Sequence, residues 1–179
     1  MNAVIVGCGK VGTELAKTLV NDGHNVSVID RNEKALALIT EAVDILPVLG
    51  NGADINTLRD AGIDSADIFI SVSPSDELNL LACLIAGSES ESIKTIARVR
   101  NPLYSKETGF LKNRLGLSKI INPEYMAASE IFKLLQYPAL SRIDTFAEGK
   151  AVIFTMRVDG MYSIEGKSLQ EIGSDNDYN

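Results

Sequence analysis

The most constraining feature of this chain is a glycine-rich turn that follows an apolar run close to residue 1. Gly7, Gly9 and Gly12 have the spacing G-x-G-x-x-G. The run that ends at Gly7 is typical of a buried strand, and apolar residues then recur every three or four positions, which indicates an amphipathic helix. Strand, turn and helix are the context in which this motif binds a diphosphate at a helix amino terminus. The sequence therefore predicts a site for a dinucleotide or an adenine nucleotide.

Each glycine has its own physical reason in this motif. The first allows a tight turn, the second lets the backbone approach a diphosphate, and the third lets helix and strand pack closely. Cys8, Lys10 and Val11 complete the predicted phosphate-binding turn, whose free N–H groups and helix dipole favour an anion. The alternative is an ordinary strand-to-helix turn, because glycines occur in many turns.

A second predicted strand, Asn25 to Ile29, ends in the acidic residue Asp30. An acid about 20 residues after the glycine motif binds the ribose hydroxyls in dinucleotide-binding proteins. A carboxylate there repels a 2′-phosphate, which favours NAD or an adenine nucleotide over NADP, although the neighbouring Arg31 weakens this inference. The alternative role for Asp30 is a cap on the second helix.

Strand and helix patterns alternate through the first part of the chain. This alternation predicts an α/β fold, a Rossmann-like doubly wound parallel six-stranded sheet with helices on both faces, in the strand order 3-2-1-4-5-6. Pro47 removes one donor from the third strand and so favours an edge or a bulge. The predicted strands are Ala3 to Val6, Val26 to Ile29, Ile45 to Leu49, Ile68 to Val72, Thr95 to Val99 and Lys119 to Ile121.

The pattern changes after Pro138, where two strands, Arg142 to Phe146 and Val152 to Val158, are predicted as a hairpin. We therefore predict a Rossmann nucleotide-binding domain at residues 1–138. Residues 139–179 are predicted to form a linker and the truncated beginning of a small C-terminal lobe.

The ligand of such a sheet lies beyond the carboxyl ends of the strands, at the point where the strand order reverses. Asn51 is predicted to border the adenine there, and Ser73 and Pro74 to line the middle of the ligand. Arg98 follows the fifth strand and offers a guanidinium suited to phosphate oxygens. A surface salt bridge is the alternative for Arg98.

Composition excludes several classes of function. The net charge is −7 with no cluster of basic residues, which argues against nucleic-acid binding. No apolar run reaches the roughly 18 residues of a membrane span. Cys8 and Cys83 are predicted to be reduced thiols of a cytosolic protein, and a small turn residue is favoured over a redox role for Cys8.

The predicted site lacks the residues that catalysis by a dehydrogenase would require. A dehydrogenase requires a substrate domain and an acid or base near the nicotinamide, but the pocket loops carry no histidine and no Lys/Tyr pair. We therefore expect no catalytic residue and no metal site, and a nucleotide sensor is favoured. Two alternatives are an NAD-dependent dehydrogenase fragment without its substrate domain and a structural oligomerisation module with an empty pocket.

Six segments carry a resemblance to a known family over about residues 1–150. The chain resembles the RCK, or KTN, family, and most of all the TrkA-type regulatory subunits of bacterial potassium uptake systems. The TrkA-type proteins resemble this unit repeated twice, each copy followed by a small lobe. The matching segments are Val6–Gly12, Val28–Asp30, Leu49–Ala53, Ser75–Asn79, Thr95–Pro102 and Ile121–Glu124.

The resemblance implies a cytoplasmic subunit, peripheral to the inner face of the plasma membrane, that gates a membrane potassium transporter subunit of the TrkH/KtrB kind. It implies NAD(H), or alternatively ATP/ADP, as the ligand, held by the residues predicted above. It also implies self-association to dimers and tetramers. The last helix, Pro123 to Tyr137, resembles the family's dimerisation helix, and packing on its own domain is the alternative.

Overall fold

The structure is a computed structural model that describes residues 1–90, 92–101, 103–104, 109, 115–136, 140–146, 151–156, 166–168 and 170–171. Contacts divide the chain into two units, Met1–Tyr125 and Met126–Asn179. The boundary predicted after residue 138 stays a prediction. None of the helices in the described part of the chain has the length and hydrophobicity of a membrane span.

The first unit contains a parallel sheet of six strands. The strand order is β3-β2-β1-β4-β5-β6, which confirms the predicted order and the predicted fold class. The sheet reverses between β1 and β4, both of which pair with neighbours in parallel register. The strands are β1 (Asn2–Val6), β2 (Asn25–Asp30), β3 (Leu46–Leu49), β4 (Ile68–Ser71), β5 (Lys94–Arg98) and β6 (Lys119–Ile121).

Pro47 lies in β3, which is an edge strand, as its missing N–H donor predicts. Five helices and one short 3₁₀ helix connect or follow the strands in the described residues. They are α1 (Lys10–Asn21), α2 (Glu33–Ala42), α3 (Ile55–Asp60), the 3₁₀ helix Ile63–Ser65, α4 (Asp76–Glu89) and α5 (Pro123–Gln136).

The apolar core lies on both faces of the sheet. Successive residues of β1 alternate between two clusters, with Val4 and Val6 in one and Ala3 and Ile5 in the other. All four side chains are buried. This two-sided burial explains why β1 is a continuous apolar run, since a strand covered on both faces has no polar side.

Two further strands, β7 (Leu140–Phe146) and β8 (Ala151–Met156), form an antiparallel pair. This pairing agrees with the hairpin predicted after Pro138. The residues that connect the two strands lie outside the described residues.

Candidate functional site

Two cavities lie at the carboxyl ends of the strands, where the strand order reverses. One has a volume of about 330 Å³ and the other of about 470 Å³. Gly7, Asp30 and Pro74 border both, so the two cavities adjoin along these residues and are called the cleft below. A cleft of this size at the switch point of a parallel sheet is where small ligands bind in this fold.

The glycine turn forms one wall of the cleft. Gly7 has a φ of 104°, a conformation that L side chains rarely adopt, and its N–H donates to the carbonyl oxygen of Ile29 at 2.9 Å. A Cβ atom on Gly12 would overlap the carbonyl oxygen of Gly7, so this glycine permits α1 to approach the turn. Gly9 has open space around the position of a Cβ atom.

The amino terminus of α1 opens into the cleft without a side-chain cap. Gly9 is its N-cap residue and offers no capping oxygen, whereas α2, α3 and α4 are capped by Asn32, Asp54 and Ser75. Gly9, Lys10 and Val11 line the larger cavity. The first N–H groups of α1 therefore face a cavity that could hold an anion, and the helix dipole favours negative charge there.

Asp30 links the end of β2 to the glycine turn. One of its oxygens accepts a hydrogen bond from the Cys8 N–H at 2.6 Å, and the other accepts from the Asn32 N–H at 2.9 Å. The sequence did not indicate that the predicted ribose-binding acid also holds the turn. Because each carboxylate oxygen can accept more than one hydrogen bond, Asp30 retains acceptor capacity toward the cleft, and its ribose role stays a prediction.

Cys8 is buried beside the turn, and its thiol donates to the Ala35 carbonyl oxygen at 3.3 Å. Burial raises the pKa of this thiol, and the nearby Asp30 carboxylate adds to the effect. An activated thiol needs the opposite shift. The geometry supports the small turn residue over the redox role.

Arg98 lines the larger cavity together with the glycine turn. Its Nη2 donates to Oε1 of Glu124, and only 14% of the Arg98 side chain is exposed. The hydrogen bond from Arg98 lowers the pKa of Glu124. The Nε atom of Arg98 is buried with no hydrogen-bond partner among the described residues. Arg98 thus forms an ion pair, the role given as its alternative, and also lines the cleft.

Ser73 and Pro74 border the smaller cavity, and their place along the middle of a ligand stays a prediction. Two predicted residues, Gly12 and Asn51, line neither cavity. Asn51 instead closes its own turn by accepting a hydrogen bond from the Ala53 N–H at 3.2 Å. The cleft brings together the other nine, which are Gly7, Cys8, Gly9, Lys10, Val11, Asp30, Ser73, Pro74 and Arg98.

Sequence reasoning missed Glu124 as a residue of the cleft, although it lines the larger cavity. The signal was available, because Glu124 follows β6, which neighbours β5, and adjacent parallel strands end at the same edge. The apolar part of the smaller cavity, formed by Val6, Ile29 and Leu78, was also not predicted. In the described residues, no group of three or more His, Cys, Asp or Glu side chains is placed to hold a metal ion.

The parallel sheet and the glycine turn at its switch point define a Rossmann-type α/β domain. Within this class, residues 3–123 match the TrkA-N domain, and the chain belongs to that family.

Two relatives illustrate the extent of the match. The chain is 36% identical over 178 residues to the Trk system potassium uptake protein TrkA homolog of Methanothermobacter thermautotrophicus, covering 99% of this chain and 80% of that protein. It is 32% identical over 159 residues to the Trk system potassium uptake protein TrkA of Haemophilus influenzae, covering 88% of this chain and 35% of that protein. The chain thus spans about a third of the length of the second relative.

Solved structures share the fold. The TrkA-N domain of inner membrane protein ybaL from Escherichia coli has a TM-score of 0.66 and 23% identity, covering 75% of this chain and 96% of that chain. GsuK bound to ADP has a TM-score of 0.63 and 24% identity, covering 76% of this chain and 34% of that chain. The GsuK channel bound to NAD has a TM-score of 0.57 and 22% identity, covering 67% of this chain and 21% of that chain.

Proposed function

We propose that this chain is the nucleotide-sensing part of a cytoplasmic regulatory subunit that binds NAD(H) or ATP/ADP and gates a membrane potassium transporter of the TrkH/KtrB kind. One observation carries the proposal. The uncapped amino terminus of α1 opens into a cleft whose other walls carry Asp30 and Arg98. Backbone N–H groups, a guanidinium and a carboxylate are the groups that bind phosphates and a ribose.

The cleft divides into regions suited to the parts of a nucleotide. The phosphates would lie against α1 and Arg98 in the larger cavity, and the ribose against Asp30, which both cavities share. The adenine would occupy the smaller cavity, where Val6, Ile29 and Leu78 offer an apolar surface. The names of the relatives support a role in potassium uptake, and the neighbours bound to NAD and to ADP support these ligands.

Gating follows if two nucleotides compete for this cleft and favour different arrangements of subunits. A ligand shifts such an equilibrium only by its differential affinity for the two arrangements, and a hundredfold difference corresponds to about 2.7 kcal/mol. Arg98 is suited to sense the difference, because it reads the number and position of phosphates. No catalytic step is part of this function.

Self-association is part of the same proposal. No residue of α5 is buried. Its exposed apolar side chains favour a second copy of this chain as their partner and support the predicted dimerisation helix. They are Tyr125, Met126, Ile131, Phe132, Leu134 and Leu135.

Calorimetric titration with NADH, ATP and ADP tests the proposal. We expect the wild type to bind at least one of them, and Arg98→Ala to weaken binding by about tenfold or more, since a hydrogen bond to a charged group contributes about 1.5–3 kcal/mol. Failure of all three nucleotides to bind the wild type contradicts the proposal. Oxidation of NADH with candidate substrates, followed by absorbance, would instead favour the dehydrogenase alternative.

A further inference from the structure

Two buried polar residues at the start of α4 contact the loops of the cleft without lining it. Asp76 is the first residue of α4 and Asn79 the fourth, and 7% and 0% of them, respectively, is exposed. Resting on the function proposed above, we propose that they are positioning residues. They clamp the loop after β4 to the end of β5 and so fix the width of the nucleotide cleft.

Asn79 uses the whole hydrogen-bonding capacity of its amide within this clamp. Its Oδ1 accepts from the Ser71 hydroxyl at 2.9 Å and from the Ser73 N–H at 2.8 Å. Its Nδ2 donates to the Ser73 carbonyl oxygen at 3.1 Å and to the Arg98 carbonyl oxygen at 2.8 Å. One side chain therefore ties the backbone of the β4 loop to the backbone of the phosphate-facing arginine.

Asp76 holds the chain just after Arg98. One carboxylate oxygen accepts from the N–H groups of Arg100 and Asn101, at 2.9 and 2.8 Å. The other oxygen lies 3.7 Å from Nε of Arg100. Arg100 in turn donates through Nη2 to the Pro74 carbonyl oxygen, which closes the clamp between the two loops.

The clamp reaches the cleft through its partners. Ser73 and Pro74 border the smaller cavity and Arg98 the larger one. Removing the Asn79 amide leaves buried backbone groups of both loops without partners, and such groups move toward water because an unpaired buried polar group is costly. The guanidinium of Arg98 would then lose its fixed distance from the amino terminus of α1.

Asn79 could also affect binding only by stabilising the fold. A double-mutant cycle with Arg98 separates this structural role from the positioning of Arg98. If Asn79 acts by positioning Arg98, Asn79→Ala lowers the affinity for ADP when the Arg98 guanidinium is present but not in the Arg98→Ala background. If it only stabilises the fold, the cost is the same with and without that guanidinium. Ile63→Ala is the matched control, since Ile63 is fully buried in the 3₁₀ helix before β4, at the opposite end of the sheet.

The experiment titrates ADP into the wild type, Asn79→Ala, Arg98→Ala, the double variant and Ile63→Ala, at a temperature where each is folded. We expect Asn79→Ala to weaken ADP binding about tenfold, but less than about threefold in the Arg98→Ala background. We expect Ile63→Ala to stay within about twofold of the wild type. Equal losses from Asn79→Ala in both backgrounds, or an equal loss from Ile63→Ala, overturn the clamp.

A milder pair covers the case in which Asn79→Ala does not fold. Asp76→Asn keeps an oxygen for the two N–H groups and Asp76→Ala removes it, so only the alanine variant should weaken ADP binding by about tenfold. Amide exchange gives a reading that needs no ligand. Exchange at Arg100 and Asn101 should accelerate in Asp76→Ala but not in Asp76→Asn.

The outcomes distinguish the clamp from the proposed function. One outcome is faster exchange at Arg100 and Asn101 in Asp76→Ala, together with a wild type that binds no nucleotide. Asp76 then holds the two N–H groups without serving nucleotide binding, which overturns the clamp as a device for nucleotide binding together with the proposed function. ADP binding by the wild type that is equally strong in Asp76→Ala overturns the clamp alone.

Discussion

At the scale of single residues, Gly9 and Gly12 belong to one turn but satisfy different constraints. A methyl group on Gly12 would overlap the Gly7 carbonyl oxygen, whereas one on Gly9, which lines the larger cavity, would meet no neighbouring atom. We therefore expect Gly12→Ala to lower the free energy of unfolding by about 1–3 kcal/mol, the usual cost of overpacking. Urea denaturation measures this loss.

Gly9→Ala is the control for that prediction. It should change the free energy of unfolding by less than about 1 kcal/mol, the range of a weaker N-cap. It should nevertheless weaken ADP binding, because Gly9 lines the cavity in which the phosphates are predicted to lie. Equal stability losses in the two variants would contradict this division between packing and binding.

If a nucleotide binds Arg98 as proposed, Glu124 competes with it for the guanidinium. The carboxylate is about half exposed, and its pKa is lowered by the hydrogen bond from Arg98. Since an exposed ion pair contributes up to about 1 kcal/mol, Glu124→Gln should strengthen ADP binding by about two- to fivefold. Glu89→Gln removes a comparable pair with Arg59 that lies outside the cleft, and it should leave the affinity unchanged. Weaker binding by Glu124→Gln would mean that Glu124 orients Arg98 for the ligand.

At the scale of elements, the helix caps make stability depend on pH. Asp54 caps α3, and its pKa is lowered because it accepts hydrogen bonds from the N–H and the hydroxyl of Thr57. The lowered pKa means that folding favours the charged form. The ionised Asp54 side chain therefore contributes its full stabilisation of the folded state above the usual aspartate pKa of about 4. This contribution is lost as the pH falls through the lowered pKa of the folded state.

Asp54→Asn tests this dependence, because it keeps a capping oxygen but cannot ionise. We expect it to lower the midpoint of thermal unfolding at pH 7, and the difference from the wild type to shrink between about pH 5 and pH 2. Circular dichroism measures both midpoints, and Asp60→Asn, at the exposed end of the same helix, controls for the loss of a carboxylate. A difference that stays constant over this range would exclude Asp54 as the titrating cap.

At the scale of the whole molecule, the sheet could be predicted because its information is local. Apolar runs such as Val4–Val6 and the alternating helices leave few topologies, and right-handed crossovers select among them. The strand order places Glu124 at the same edge of the sheet as Arg98, but the two hydrogen bonds, the Cys8 N–H to Asp30 and Arg98 to Glu124, could not be predicted in this way. The partners are 22 residues apart in the first pair and 26 in the second. Only the folded sheet determines the distance between the loops that carry them.

The same limit applied to α5, for which the sequence left self-association and packing on its own domain open. No residue of α5 is buried, and its large apolar side chains are exposed, with Ile131 at 58% and Leu135 at 74%. These two residues lie one helical turn apart and so share a face. An exposed apolar face of this kind is typical of an interface, because burying it against a second copy removes apolar surface from water.

Leu135→Glu tests whether this face joins two copies of the chain. A charge buried in an apolar interface should raise the dimer dissociation constant by about a hundredfold or more, which corresponds to about 2.7 kcal/mol. Sedimentation velocity at several concentrations measures the change. Leu38→Glu is the matched control, since Leu38 is 68% exposed on α2 and should leave association unaltered. A wild type that stays monomeric at every concentration would contradict self-association of this chain. A dimer that is indifferent to Leu135→Glu would assign the interface to another surface, because a face that carries the association cannot accept a buried unpaired charge.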